Sequence, residues 1–149
     1  WFSGASFIAK SEVFWSLGGF DENIFLYHED MDFFFRAYQK KYEMHYIEDA
    51  TVYHESGAST GVTREVSIPK RRPDYWFASR RYFYVKNYGV CRFILIDFVT
   101  LFGILVGRAK ELILHKSSSL PPYIAYDILR HSVLNICYKT QSRTKWSSD

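Results

Sequence analysis

The alternation of apolar and polar positions divides the chain into short strands at its start and helices after them. From Phe2 to Ala9, Phe2, Gly4, Ser6 and Ile8 alternate with Ser3, Ala5, Phe7 and Ala9, the period of a strand. Val13, Phe14 and Leu17 form the apolar face of a short helix predicted over Glu12 to Leu17, with Ser11 as N-cap and Gly18 closing it. A second helical pattern begins near His28. Met31, Phe34, Phe35 and Tyr38 fall at i, i+3, i+4 and i+7, with Glu29, Asp30 and Asp32 in the first turn and Lys40-Lys41 in the last, the arrangement that the helix dipole favours. Met44 to Ile47 and Thr51 to His54 read as two short strands around an Asp49-Ala50 turn.

The second half is helical throughout. Pro73-Asp74 opens a helix that runs to Tyr88 and is closed by Gly89. Phe93 to Gly107 is almost continuously apolar, broken by Asp97, Thr100 and Gly103. A helix of that length extends about 22 Å, short of a hydrocarbon core of about 30 Å, and Asp97 lies within it. Flanked by Arg92, Arg108 and Lys110, it is expected to lie in a membrane interface, the competing reading being a helix packed on the rest of the protein or on another subunit. After a Ser-rich linker from Lys116 to Leu120, Pro121-Pro122 starts a last helix to about Tyr138. Its apolar residues are Ile124, Ile128, Val133 and Ile136, and Asp127 is spaced to meet Arg130 or His131. The polar tail from Lys139 is expected to be disordered.

One stretch stands out chemically. Asp21, Glu22, Glu29, Asp30 and Asp32 supply five carboxylates with no Lys or Arg between them, set among Phe20, Ile24, Phe25, Leu26 and Tyr27. Charges against apolar surface are costly unless bound or paired, and such carboxylates can be tuned for proton transfer. The plainer reading is that Glu29, Asp30 and Asp32 only complement the helix dipole, with Asp32 and Arg36 pairing at i, i+4 on the outer face. Asp30-Met31-Asp32 is a literal D-x-D, but residues two apart on a helix point away from each other and cannot share one cation.

Composition adds a charge asymmetry and narrows the classes. The chain of 149 residues is long enough for one modest domain, and its net charge of +3 is slight. From Gly61 to Arg92, however, eight Lys or Arg face only Glu65 and Asp74, so the acidic and basic regions should meet different partners. Arg80, Arg81 and Lys86 interleaved with Trp76, Tyr82 and Phe83 would suit stacked single-stranded bases or an anionic lipid surface. The apolar run that follows favours the membrane, and no nucleic-acid partner is expected. Cys91 and Cys137 lack metal-type spacing and read as two buried or free thiols in a reducing compartment.

Taken in order, Trp1-x-Ser3-Gly4-Ala5-Ser6-Phe7, Gly18-Gly19-Phe20-Asp21-Glu22, Phe25-x-Tyr27-x-Glu29-Asp30-x-Asp32-x-x-x-Arg36, Val52-x-His54 and Ser59-Thr60 resemble one family. It is the inverting family-two glycosyltransferases, of GT-A fold, with the rhamnosyltransferase-like bacterial enzymes most similar. The resemblance covers roughly residues 1 to 90 and corresponds to the second half of that catalytic domain. It implies an α/β fold with a mixed sheet over residues 1–62, a basic flap and helix over 63–92, and a helical C-terminal extension over 93–149. It also implies a fragment lacking the nucleotide-binding half, and the opening on Trp1 rather than Met, with no signal peptide, agrees with that expectation.

The same resemblance implies transfer of a sugar from a nucleotide-diphosphate donor to a glycan or a polyprenyl-diphosphate-linked acceptor, in cell-surface polysaccharide synthesis at the cytoplasmic face of the bacterial inner membrane. Asp30 would be the catalytic base, with Glu29 positioning it or sharing the role, and His54 would bind a divalent cation, Mn²⁺ or Mg²⁺. Trp1, Gly4, Ala5, Asp32, Ser59 and Thr60 would border the substrate. Arg64, Arg71 and Arg72, in a segment from Thr63 to Pro73 that suits either a flap over a pyrophosphate or a plain solvated loop, would grip phosphate oxygens. A homo-oligomer is compatible with this pattern. The rival from another class is a non-catalytic binding or membrane-anchoring module whose acids are structural.

Overall fold

The computed structural model describes residues 4–54, 70–118 and 120–133. Among these residues five helices account for the regular structure: α1 (Ser11–Ser16), α2 (Glu29–Gln39), α3 (Asp74–Tyr88), α4 (Val90–Ile113) and α5 (Ile124–His131). Among the described residues there is no strand. The expected α/β architecture with a mixed sheet is therefore corrected to a helical one. Residues 4–9, 44–47 and 51–54 are irregular, because a two-residue period makes a strand only where a neighbour completes its hydrogen bonds, and none of these segments has one among the described residues.

The helices form two layers that share α3. In the first, Leu17 packs against Phe33 and Ala37 of α2, with Phe7, Val13 and Phe14 around them. Ring contacts run from Phe14 to Phe20 (5.7 Å) and from Phe7 to Phe34 (5.3 Å), edge to face as the ring quadrupoles prefer. α1 starts at Ser11 itself with Lys10 at the cap position, so Ser11 is the first helical residue and not the cap. The turn after α1 needs positive φ at both Gly18 (78°) and Gly19 (67°), conformations that cost glycine little.

The buried face of α2 differs from the predicted one. Phe33, Ala37 and Asp32 are buried, whereas Tyr38 is 70% exposed. Three consecutive phenylalanines leave the apolar stripe ambiguous, and the face carrying Asp32 and Arg36 turns inward because its charges are neutralised there.

The second layer is α3, α4 and α5, each in contact with the other two. Only Gly89 separates α3 from α4. Arg80 Nη1 donates to Asp97 Oδ1 at 2.6 Å, and Tyr84 stacks on Phe93 at 5.9 Å. Both pairs are almost equidistant from Gly89 in sequence, so α4 folds back along α3. The ion pair explains the carboxylate inside the apolar run: Asp97 faces α3, 4% exposed, beneath a guanidinium. α4 is also longer than predicted, 24 residues from Val90 to Ile113 and so about 36 Å. By length and composition it could cross a membrane. α5 begins at Ile124, and the part of the predicted helix beyond Val133 lies outside the described residues, as do Cys137 and the tail from Lys139.

Candidate active site

The lead-in to α2 is held in an unusual backbone conformation. Tyr27 (φ 63°) and His28 (φ 71°) are consecutive left-handed residues, each costing about 1–2 kcal/mol for a side chain other than glycine. Aromatic packing against α3 over-determines them. Tyr27 stacks on Tyr75 (6.2 Å, 7° between planes), and Ser79 Oγ donates to the Leu26 carbonyl at 2.9 Å. The His28 ring sits among Trp76 (5.5 Å), Phe83 (5.9 Å) and Tyr84 (6.4 Å). Burial, followed by the positive charge of Arg80, lowers its pKa from 6.5 to about 4, so His28 is neutral at ordinary pH.

This strained turn delivers Glu29 and Asp30, both half-buried, at the start of α2. The Gly4 N–H donates to Asp30 Oδ2 at 2.8 Å, and the Met31 N–H donates to Asp30 Oδ1 at 2.7 Å. Each carboxylate oxygen therefore keeps acceptor capacity for a further proton donor. Gly4, expected to border the substrate, has Asp30 packed against it: the Asp30 Cβ lies 2.6 Å from where a Cβ on residue 4 would stand. Glu29 Oε2 is buried without a hydrogen-bond partner among the described residues. Desolvation, then the adjacent Asp30 charge, raises its pKa above the ordinary carboxylate value. No Lys or Arg among the described residues pairs with either acid.

Asp32 has another environment. It is fully buried, accepting from Arg36 Nε at 2.7 Å, Lys86 Nζ at 2.8 Å and Asn87 Nδ2 at 3.2 Å. Arg36 also donates to the carbonyls of Leu17 and Gly19, and Lys86 reaches Asp21 at 2.7 Å. Asp21 further accepts from Tyr82 at 3.1 Å and from the Asn23 backbone at 3.0 Å. Burial is the largest influence at Asp21 and Asp32 and opposes ionisation, but the bonds from Lys86, together with those from Asn23 at Asp21 and from Arg36 and Asn87 at Asp32, outweigh it and hold both pKa values below the ordinary range. The expected i, i+4 pair of Asp32 and Arg36 thus forms, but inside and not on the outer face.

The remaining candidates are dispersed. Arg71 forms a two-pronged pair with Asp127 of α5, Nε to Oδ2 at 2.9 Å and Nη2 to Oδ1 at 2.6 Å, in place of the local Arg130 or His131 partner expected for Asp127. Arg72 lies over the Trp76 ring at 4.5 Å, its pKa lowered by burial. Ala5 is exposed beside Gly4. His54 is exposed, and no three His, Cys, Asp or Glu among the described residues stand close enough to hold a cation. The described residues therefore do not make up a metal site. Trp1, Ser59, Thr60 and Arg64 lie outside the described residues. A cavity of about 380 Å³ lies elsewhere, between α4 and α5, lined by Leu101, Ile104 and Tyr126 among others.

Sequence reasoning missed Lys86 and Asn87 as the partners of Asp32, and Tyr75, Ser79 and Trp76 as the supports of the strained turn. The available signal was the helical spacing of those residues along α3, which puts 75, 79, 82, 83, 86 and 87 on one broad face.

No family model matches the chain, and no solved structure matches it. Over 61 residues it is 36% identical to a curated protein named N-acetylglucosaminyl-diphospho-decaprenol L-rhamnosyltransferase in two strains of Mycobacterium tuberculosis, CDC 1551 / Oshkosh and H37Rv. The match takes in 41% of this chain and spans one fifth of the length of those relatives. The similarity supports a relation to the glycosyltransferases and to sugar transfer in a general sense.

Proposed function

We propose that this chain carries the acceptor-activating acids of an inverting glycosyltransferase, which moves a sugar from a nucleotide-diphosphate donor to a lipid-linked glycan acceptor at a membrane surface. The observation that carries the reading is the pair Glu29 and Asp30, half-buried on a strained turn, fastened by the Gly4 N–H and paired with no cation among the described residues. The partial similarity to a rhamnosyltransferase supports the same chemistry.

In this mechanism the acceptor hydroxyl meets the open lone pairs of Asp30. An alcohol is too weak an acid to ionise beforehand, so its proton passes to Asp30 as the oxygen bonds to the sugar C1. The bond from C1 to the diphosphate oxygen breaks on the opposite face, its electron pair leaving with the nucleotide diphosphate, and the anomeric centre inverts. Glu29, its pKa raised, lies next in sequence to the base and would relay or hold that proton. Of the arginines expected to grip phosphate, Arg71 is engaged with Asp127, and Arg72, over the Trp76 ring, would be the one to meet the departing phosphate. A divalent cation with His54 as ligand belongs to the reading only as a partner of the donor.

The test is Asp30→Asn in the full-length protein. Turnover should fall roughly 10²–10⁴-fold, the usual yield of a positioned general base, while donor affinity stays nearly unchanged. A variant that keeps most of its rate removes Asp30 from the role. The membrane-anchoring alternative is favoured by the exposed apolar side of α4, and would show as no sugar transfer by the unmodified protein.

A further inference from the structure

We infer that α4 docks lengthwise on an anionic bilayer, with its outer face in the acyl boundary, and does not cross the membrane. Between Phe93 and Gly107 the exposed large apolar side chains are Leu95, Phe98, Val99, Phe102, Leu105 and Val106, each more than half accessible. At 100° per residue they fall within about a third of the helix circumference, a continuous apolar stripe. Arg92 and Lys110 are eighteen residues apart, five turns at 3.6 residues each, so both stand on one edge of the stripe, exposed. Arg108 stands on the α5 side of the helix, beside the cavity lined by Leu101 and Ile104, and pairs with Glu111 at 3.8 Å. Cations flanking an apolar stripe are where lipid phosphates lie when a helix rests in the interface. The one acid of the apolar segment, Asp97, is turned away beneath Arg80.

The opposite side of α4 decides between lying and crossing. Phe93 and Asp97 are buried against α3, and Leu101 and Ile104 face α5. A spanning α4 would take these partners into hydrocarbon with it, including the Arg80–Asp97 and Arg71–Asp127 pairs, and charges at membrane depth are strongly disfavoured. Lying in the plane keeps both pairs on the aqueous side. This inference deepens the membrane part of the proposed reading, on which its biological meaning rests, but it does not depend on the sugar chemistry.

The experiment is co-sedimentation of the full chain with phosphatidylcholine vesicles, with and without about a third phosphatidylglycerol, followed by an alkaline carbonate wash. Binding should require the anionic lipid and be released by carbonate. Arg92→Ala with Lys110→Ala, both at exposed positions and harmless to the fold, should weaken binding by on the order of 20-fold, at about fivefold per cation. Phe98→Glu with Phe102→Glu should abolish it while far-ultraviolet circular dichroism is retained. Retention through carbonate would overturn the in-plane geometry. Self-association that hides the stripe, with no vesicle binding, would overturn the bilayer as its occupant. Failure of sugar transfer with vesicle binding intact would count only against the catalytic reading.

Discussion

Asp32 and Asp30 sit two residues apart on the first turn of α2, in surroundings of opposite character. Asp32 points into the protein, where Arg36, Lys86 and Asn87 take up its lone pairs and Lys86 extends the network to Asp21. Asp30 faces the other way, held by two backbone N–H groups and by no cation among the described residues. A neutralised carboxylate fastens helices together. One that is oriented but left with open acceptor positions is available to a substrate proton. The opposed faces of the helix separate the two environments, the same geometry that rules out a shared metal between these residues.

The largest test of that contrast is on stability. Asp32→Ala leaves Arg36 and Lys86 facing a void and should cost about 3 kcal/mol, the lower end for breaking a buried pair because Lys86 reaches solvent. Urea denaturation of Asp32→Ala and Asp30→Asn side by side measures the difference. The Asp30→Asn change should stay within about 1 kcal/mol, because one oxygen can still accept from Gly4. Equal losses in the two variants would erase the division between the two acids.

The second test uses pH, where the groups around the turn differ in sign. His28 has its pKa lowered from 6.5 to about 4, so the folded state resists its protonation. The stability that its neutral form contributes is complete above pH 6.5 and is lost as pH falls towards 4, by on the order of 3 kcal/mol in total. Asp21 and Asp32, with lowered values, contribute above the ordinary carboxylate pKa and lose that contribution only at lower pH. Glu29, with a raised value, acts oppositely: its contribution is greatest while protonated and fades as pH rises through its folded value. His28→Asn, chosen because asparagine tolerates positive φ, should lower stability overall but flatten its slope between pH 6.5 and 4. An unchanged slope would mean that the ring is not what makes the turn acid-sensitive.

Much of the helical order was legible from residue pattern, and the reasons for the failures are local. Asp74–Tyr88 matched its Pro and Gly signals because both act through backbone geometry within a residue or two. The sheet failed because alternation from Phe2 to Ala9 or from Met44 to Ile47 describes one strand, whereas hydrogen bonding requires two. The Asp97–Arg80 pair was invisible because its register depends on the turn angle at Gly89, and with it the length of α4 was misjudged. Glu29 and Asp30 could be selected by their position against apolar residues. That no cation among the described residues pairs with them could not be read, since the basic residues of α3 lie more than forty positions away and had to be shared out by packing.

The smallest change tests the finest feature. Gly4→Ala adds one methyl carbon that would stand 2.6 Å from Asp30 Cβ, a side-chain root with little freedom to retreat. Either α2 or the segment around residue 4 must shift, and the bond from the Gly4 N–H to Asp30 Oδ2 lengthens or turns. Displacement of a reacting group by about 1 Å can cost up to 10²-fold in rate. Gly4→Ala should therefore reduce turnover by roughly 10-fold or more in the full-length protein, with denaturation midpoints changed little because Gly4 is exposed. If Asp30 acts as the base, the Asp30→Asn background should make the Gly4 substitution nearly silent, since the group being misplaced has already been disabled. Additive losses in the double variant would assign residue 4 a separate contact with substrate, and the orienting bond would then have no part in the reaction.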